Sequence, residues 1–260
     1  MQAGKPRIAL HKFSSCDGCQ LAFLNAGQQL LSLWEQMNIV HFAEAGPVDS
    51  NAKVDISFIE GSISTAADIT RIKSVRAQSR ILVSIGACAT SGGLQALKNG
   101  ADSDAWLACI YPNPEYIDSL GTATPISAHV KVDLQLQGCP VSTGQILQTV
   151  QSLLAGVLPP PEQSRVCLAC KRRQLVCVMV TKGLPCMGPV TNNGCDALCP
   201  SVGRDCYGCY GPSECANTRA LAGQFSALGL TSDQIKHRFS TIHSAAPTFK
   251  DAVLDSDHHD

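Results

Sequence analysis

The chain has 260 residues, with 20 basic against 21 acidic side chains; 16% of it is charged and 45% apolar. So even a balance leaves no general electrostatic footprint for nucleic acid, and no run of about 18 apolar residues is present to span a bilayer. The start MQAGKPRIALHKFSS has no apolar secretory core, twin-arginine pair or small-residue cleavage site. A cytoplasmic location, with thiols kept reduced, is the expectation, and so little charge points to surface covered by partner subunits.

In chain order, PRIALHKF (6–13) reads as a buried strand, followed by the turn Cys16-Asp-Gly-Cys19. Residues 20–37 place Leu21, Phe23, Leu24, Leu30, Leu31 and Trp34 at helical spacing. Strands are predicted over 38–44 and 54–60. A helix capped by Ser64 or Thr65 should then run to Ser79 with Ile69, Ile72 and Val75 on one face. RILVSIG (80–86) is the almost wholly apolar strand of a parallel sheet. A glycine-rich turn through Cys88 to Gly93 leads into a short helix. Residues 101–128, with Pro112, Pro114 and Pro125, read as irregular. A strand near 130–136 ends at Gly138-Cys139-Pro140, and a helix follows over 142–154. Strands alternating with helices predict an α/β domain with a mainly parallel sheet. The proline-rich stretch after Val157 is a stiff linker. Beyond it lies an irregular region too poor in apolar periodicity to pack by itself, whose stability should come largely from what its thiols bind. One helix is expected near 218–228, and the tail holding His258 and His259 reads as frayed.

Nine of the 14 cysteines fall between Cys167 and Cys215. In a reduced compartment such density means soft-metal ligation rather than disulfides. Cys16, Cys19, Cys88 and Cys139 all follow strands. In an open α/β sheet, residues in those places converge on the crevice at the carboxyl ends of the strands. Four thiolates suit zinc or a four-iron cubane; the neighbouring Gly18, Gly86 and Gly138 let backbone approach a bulky cluster, which favours the cubane. Cys167, Cys170, Cys177, Cys186, Cys195, Cys199, Cys206 and Cys209 supply two further sites. The alternative is a pair of zinc sites in a scaffold or nucleic-acid module. Classical ribbons space their pairs by about 15–20 residues, whereas Cys170 and Cys206 are 36 apart with four cysteines between them.

Six motifs carry a family resemblance: Cys16-Asp-Gly-Cys19, Glu60-Gly-Ser62, the run from Gly86 through Cys88 to Gly93, Gly138-Cys139-Pro140, the run from Lys182 through Cys186 to Thr191, and Cys206-Tyr-Gly-Cys209. In this order they resemble the electron-transferring small subunit of nickel–iron hydrogenases, in particular the small (delta) subunit of cytosolic bidirectional NAD(P)-linked enzymes of the sulfhydrogenase type. The resemblance implies a flavodoxin-like N-terminal domain (1–157), an iron–sulfur domain (165–217) and a C-terminal extension (218–260). It also implies three 4Fe-4S clusters: a proximal one on Cys16, Cys19, Cys88 and Cys139, a medial one on Cys195, Cys199, Cys206 and Cys209, and a distal one on Cys167, Cys170, Cys177 and Cys186. The partners implied are a large subunit holding the nickel–iron site, and iron–sulfur and flavin/NAD(P) diaphorase subunits. A deazaflavin- or viologen-reducing hydrogenase is the neighbouring alternative. Members with histidine in place of Cys167, proline near Cys199, or extra cysteines at Gln20 and Gly93 have other cluster types, so three ordinary cubanes are implied here. No G-x-G-x-x-G follows a strand, which agrees with nucleotide binding elsewhere.

Four features stay open at this level. Cys215 competes with Cys199 as the fourth medial ligand. Cys109, in WLACIYP, is expected to be a buried apolar thiol. Glu60 is either a solvated strand end or a carboxylate that orients the proximal cluster or relays protons. The basic run Lys171, Arg172 and Arg173 is either a solvated face or a docking patch for the next electron carrier.

Overall fold

The computed structural model describes residues 4–255. Five strands, β1 (Arg7–Lys12), β2 (Asn38–Phe42), β3 (Val54–Glu60), β4 (Ser79–Ile85) and β5 (Leu134–Leu136), form one sheet in the order β2-β1-β3-β4-β5. Every pairing is parallel. This is the doubly wound order of flavodoxin-like sheets, with its switch point between β1 and β3. The central strands are apolar almost throughout because both faces are covered. Ile8, Leu10, Ile56, Phe58, Val83 and Ile85 pack on one side against α1 (Gly18–Leu24), α2 (Gln28–Trp34) and the later helix over 143–154. Ile59 and Leu82 pack on the other against Ile72 and Val75 of α3 (Ala66–Gln78). Thr65 caps α3 reciprocally: its hydroxyl accepts the Asp68 N–H at 3.1 Å, and the Asp68 carboxylate accepts the Thr65 N–H at 3.2 Å.

The single helix predicted over 20–37 is two helices. Gly27 takes φ 54°, a left-handed value that interrupts the ladder and redirects Leu30 and Leu33 into the core. The last strand is shorter than predicted. Asp133, just before it, instead accepts the Leu82 N–H at 2.8 Å and an Arg76 N–H at 2.5 Å. After β4 come α4 (Gly86–Ser91), a 3₁₀ turn over Gly93–Gly100 and α5 (Ser103–Ile110). The stretch read as irregular therefore contains a helix, capped by Asp102, which accepts the N–H groups of Asp104 and Ala105. That helix buries none of its side chains, and Cys109 is exposed rather than buried. Its anchorage is polar and lies at its flanks: the Ser103 hydroxyl donates to Gly121 O at 2.9 Å, and the Asn99 amide to Ala123 O at 2.8 Å.

Beyond α6 (Thr143–Leu154) the cysteine-rich stretch holds only short helices, α7 (Val166–Arg172), α8 (Val178–Lys182) and α9 (Leu198–Ser201). Three helices follow where one was expected: α10 (Thr218–Ala227), α11 (Ser232–Phe239) and α12 (Pro247–Asp255). They supply the apolar surface that the cysteine-rich stretch lacks. Leu221, Phe225, Ile235, Phe239 and Phe249 form one cluster with Val166, Met187 and Val190. An Arg238–Asp205 ion pair ties α11 to the residue preceding Cys206. His258 and His259 lie outside the described residues. Among the described residues no helix is long and apolar enough to cross a membrane.

Candidate iron–sulfur centres

Parallel pairing sends the carboxyl ends of β1, β3, β4 and β5 to one edge of the sheet, and the first cysteine set is built there. Lys12 closes β1, and its ammonium donates to Asp17 at 2.6 Å, while Ser15 donates to the other Asp17 oxygen at 3.1 Å. These bonds accompany the left-handed φ of 65° at Asp17, from which α1 starts with Cys19 in its first turn. Glu60, the last residue of β3 and 2% exposed, reaches across the switch point. Its two oxygens accept the Cys19 N–H at 3.0 Å and the Gln20 N–H at 3.2 Å. Of the two readings left open for Glu60, the solvated strand end is excluded; the carboxylate orients the backbone of a cysteine pair. Burial holds its carboxyl above the ordinary range, against the pull of the two N–H groups.

Cys88 lies in α4, and its thiol donates to Gln95 Oε1 at 3.3 Å, while Gln95 Nε2 donates to Ser14 O at 3.0 Å. The Ala87 N–H donates to Gly138 O at 2.7 Å, which brings the Cys139 turn alongside. The four thiols feel one another. Burial drives Cys19 far up, and Glu60, Cys88 and Cys139 add to it. Burial pushes Cys88 up to about 11, with Cys139 and Cys16 contributing. Cys139 is raised by burial and then by Cys16. Two positions have no room for any side chain. A Cβ at Gly86 would stand 2.4 Å from Cys19 Sγ, and one at Gly93 would stand 2.6 Å from Cys88 Sγ.

The second region holds two adjoining groups of thiols, around Cys167 and around Cys209, with no sharp division: Cys170 feels Cys195 as well as Cys186 and Cys177, and the Cys206 N–H donates to Cys186 Sγ at 3.2 Å. Burial pushes Cys167 up to about 11, and Cys186, Cys170 and Cys177 add to the shift in that order. Gly188 floors this set: a Cβ there would lie 3.4 Å from both Cys167 Sγ and Cys186 Sγ. In the other set, burial pushes Cys209 up to about 12, with Cys195, Cys199 and then Cys139 contributing. Cys199 is raised by burial and by Cys195. Cys206 is driven far up by burial, and both Cys186 and Cys209 add to it. Cys209 thus feels the sheet-edge thiol Cys139, and Cys206 feels Cys186, whose Sγ accepts its N–H. Cys215 is exposed, and its carbonyl accepts a bond from Arg165 at 2.6 Å. Lys171, Arg172 and Arg173 are exposed beside the Cys167 set, with Arg173 also donating to Asp196 O at 2.5 Å.

Buried thiols that raise one another's pKa cannot ionise together without added positive charge. Iron would supply it, and the thiolate form would be the ligand. Backbone stands close to sulfur at Gly86, Gly93 and Gly188, an approach that would suit a bulky four-iron cluster. Among the described residues no three His, Cys, Asp or Glu side chains close around one ion; the fit rests on these close approaches and the shared field.

Two residues of this centre were not singled out from sequence. Tyr210, 3% exposed, is raised by burial and feels Cys195, Cys209 and, more weakly, Cys19. His243, 2% exposed, lies against Ser91 and the carbonyl of Cys209. Tyr210 adjoins the Cys206-Tyr-Gly-Cys209 motif, which could have flagged it. Nothing local marks His243.

A flavodoxin-like sheet whose strand ends carry a cysteine pair and two single cysteines defines a class. Residues 16–153, more than half of the chain, match the family described as the NADH ubiquinone oxidoreductase 20 Kd subunit. The chain belongs to that family. Within it, the chain is similar to hydrogenase small subunits. It is 32% identical to the delta subunit of sulfhydrogenase 2 from Pyrococcus furiosus, over 91% of this chain and 98% of that protein. It is 28% identical to a subunit of the vhu F420-non-reducing hydrogenase from Methanococcus voltae, over 85% of this chain and 90% of that one. Among solved structures, an NAD⁺-reducing [NiFe]-hydrogenase in the H2-reduced state superposes with TM-score 0.56 at 28% identity, covering 60% of this chain and 95% of that chain. The two full-length matches thus span the second cysteine region; the NAD⁺-reducing structure has room for little beyond the sheet domain.

Proposed function

We propose that this chain is the electron-transferring small subunit of a soluble nickel–iron hydrogenase. It passes electrons between a nickel–iron site in a large subunit and a flavin/NAD(P) partner through three 4Fe-4S clusters. The observation that supports the reading is the juxtaposition of cysteines distant in sequence, Cys139 with Cys209 and Cys206 with Cys186, beside glycines that leave no side chain against sulfur. Cys16, Cys19, Cys88 and Cys139 would hold the proximal cluster, Cys195, Cys199, Cys206 and Cys209 the medial one, and Cys167, Cys170, Cys177 and Cys186 the distal one. When bound, the clusters supply reversible one-electron chemistry. The chain supplies the rest: Glu60 fixes the Cys19 peptide, the glycines exclude side chains, and burial sets the surroundings that tune potential. The domain division at 157 and 165 belongs to the same reading, with 218–255 completing the second unit rather than trailing from it.

A second acceptor chemistry, that of an F420-non-reducing hydrogenase, is favoured by the match along 85% of the chain to a subunit of such an enzyme. The test is metal analysis of the anaerobically purified complex, followed by acceptor assays under H2. At least about 12 irons and about 12 acid-labile sulfides per copy of this chain, beyond those of the nickel–iron site and the partner iron–sulfur subunits, and H2-dependent NAD(P) reduction, are expected. Stoichiometric zinc without broad visible absorption would refute the electron wire. Dye reduction with no NAD(P) reduction would move the assignment to the second acceptor class.

A further inference from the structure

We propose that His243 is a positioning residue that holds the medial ligand Cys209 against the helix bearing the proximal ligand Cys88. The inference rests on the electron-transfer reading above and goes beyond it, because no cysteine motif includes this histidine. Its ring comes from the turn between α11 and α12. Nε2 lies 3.0 Å from Cys209 O, and Nδ1 lies 2.8 Å from Ser91 Oγ. Ser91 closes α4, three residues after Cys88.

The two partners fix the tautomer. A peptide carbonyl can only accept, so Nε2 carries the proton and donates it to Cys209 O. Nδ1 is then an acceptor, and the Ser91 hydroxyl donates to it in place of its other acceptor, Ala87 O at 3.1 Å. The bridge thus runs from the Cys88 helix through hydroxyl and imidazole to the Cys209 peptide, each donor aimed one way. The chain after Cys209 is also pressed onto the ring: a Cβ at Gly211 would lie 3.1 Å from His243 Cε1.

Two clusters in separate units exchange electrons at a rate that depends steeply on their separation. A bond joining a ligand peptide of one to the ligand helix of the other fixes that separation. It also places an N–H dipole on a ligand peptide, which favours the reduced cluster.

The test uses the intact complex and three variants: His243→Leu, His243→Gln and Ser91→Ala. Readouts are iron content, the medial reduction potential from a titration followed by electron paramagnetic resonance, and H2-dependent reduction of benzyl viologen. His243→Leu is expected to shift the medial potential negative and slow dye reduction about tenfold, with iron unchanged. His243→Gln should recover most of both, because a carboxamide places a donor and an acceptor on either side of one carbon, as the ring does. A leucine variant with native potential and rate overturns the proposal, and so does a glutamine variant no better than leucine. If His243→Leu fails to assemble, Ser91→Ala decides. A smaller shift of the same sign supports the bridge, and native values overturn it. A wild-type complex with no iron–sulfur signal refutes the electron-transfer reading itself, and the proposal with it, before any variant is compared.

Discussion

At the scale of single residues, burial decides what sequence position leaves open. Spacing favours Cys199 as the fourth ligand of the middle set but leaves Cys215 as a competitor. In the structure Cys199 is half-buried and shares the field of Cys195, whereas Cys215 is exposed with its carbonyl tied to Arg165. Cys199→Ser is therefore expected to lower iron content or give a three-iron signal by electron paramagnetic resonance, and to slow acceptor reduction. Cys215→Ser should leave iron and turnover nearly unchanged; the reverse pattern would transfer the ligand assignment. The cysteine pairs were legible because chemistry dictates their spacing. For Glu60 the sequence left a solvated strand end and an orienting carboxylate both open, since its grip on Cys19 crosses 41 residues of sequence.

His11 and His41 illustrate the same limit. They stack at 4.3 Å between ring centroids under the sheet edge, with nothing in their spacing to announce it. Burial lowers His11 to about 3, with the charges of His41 and Arg71 assisting. Burial, and then Arg71, also lowers His41. Because the folded values lie below the unfolded one, the unfolded chain takes up protons that the folded chain refuses. Stability from this pair is full above about pH 6.5 and falls as pH drops towards the folded values. His11→Gln should flatten that acid limb, a difference of about 1 kcal/mol near pH 5.5 in thermal melts, and equal slopes for variant and wild type would remove the pair as its cause.

At the scale of elements, the sheet was readable and the C-terminal helices were not. Strands buried on both faces announce themselves as unbroken apolar runs, as β3 and β4 do. SDQIKHRF, the sequence of α11, is polar except for Ile235 and Phe239, which sit one turn apart and were too few to fix a period. Yet both are buried, and Phe239 is ringed by Phe225 at 6.4 Å and Phe249 at 5.7 Å. Phe239→Ala should destabilise the second unit by about 3–5 kcal/mol. Denaturation monitored at the cluster absorbance is the measurement. Loss below about 1 kcal/mol would mean that the thiol-bound metal, not this core, holds the unit. The helix α5 escaped for the opposite reason: its apolar residues point outward, so no buried face marks it.

At the scale of the molecule, the sheet-edge centre is open to one side. Cys16 is exposed, and Leu21, Leu94 and Leu97 are 52%, 53% and 42% exposed. Such a patch is where a large subunit would seat, and the lone chain should suffer from its absence. Expressed alone, the chain is expected to self-associate and to lose iron from the proximal set first on exposure to air. A monodisperse lone chain retaining all its iron would argue against that face as the covered one.

The apolar cluster shared by the cysteine-rich stretch and α10, α11 and α12 has a consequence for how the protein is made. Every one of the twelve thiols precedes these helices in the chain. During synthesis the ribosome releases all the sulfur before the scaffold that must arrange it. If the second unit holds clusters, as proposed, it would not be filled one by one as it emerges. Its thiols wait, unarranged and oxidisable, until Phe225, Phe239 and Phe249 have arrived. On the cluster reading, iron delivery to this half of the molecule would then follow translation, once the core of α10, α11 and α12 has formed.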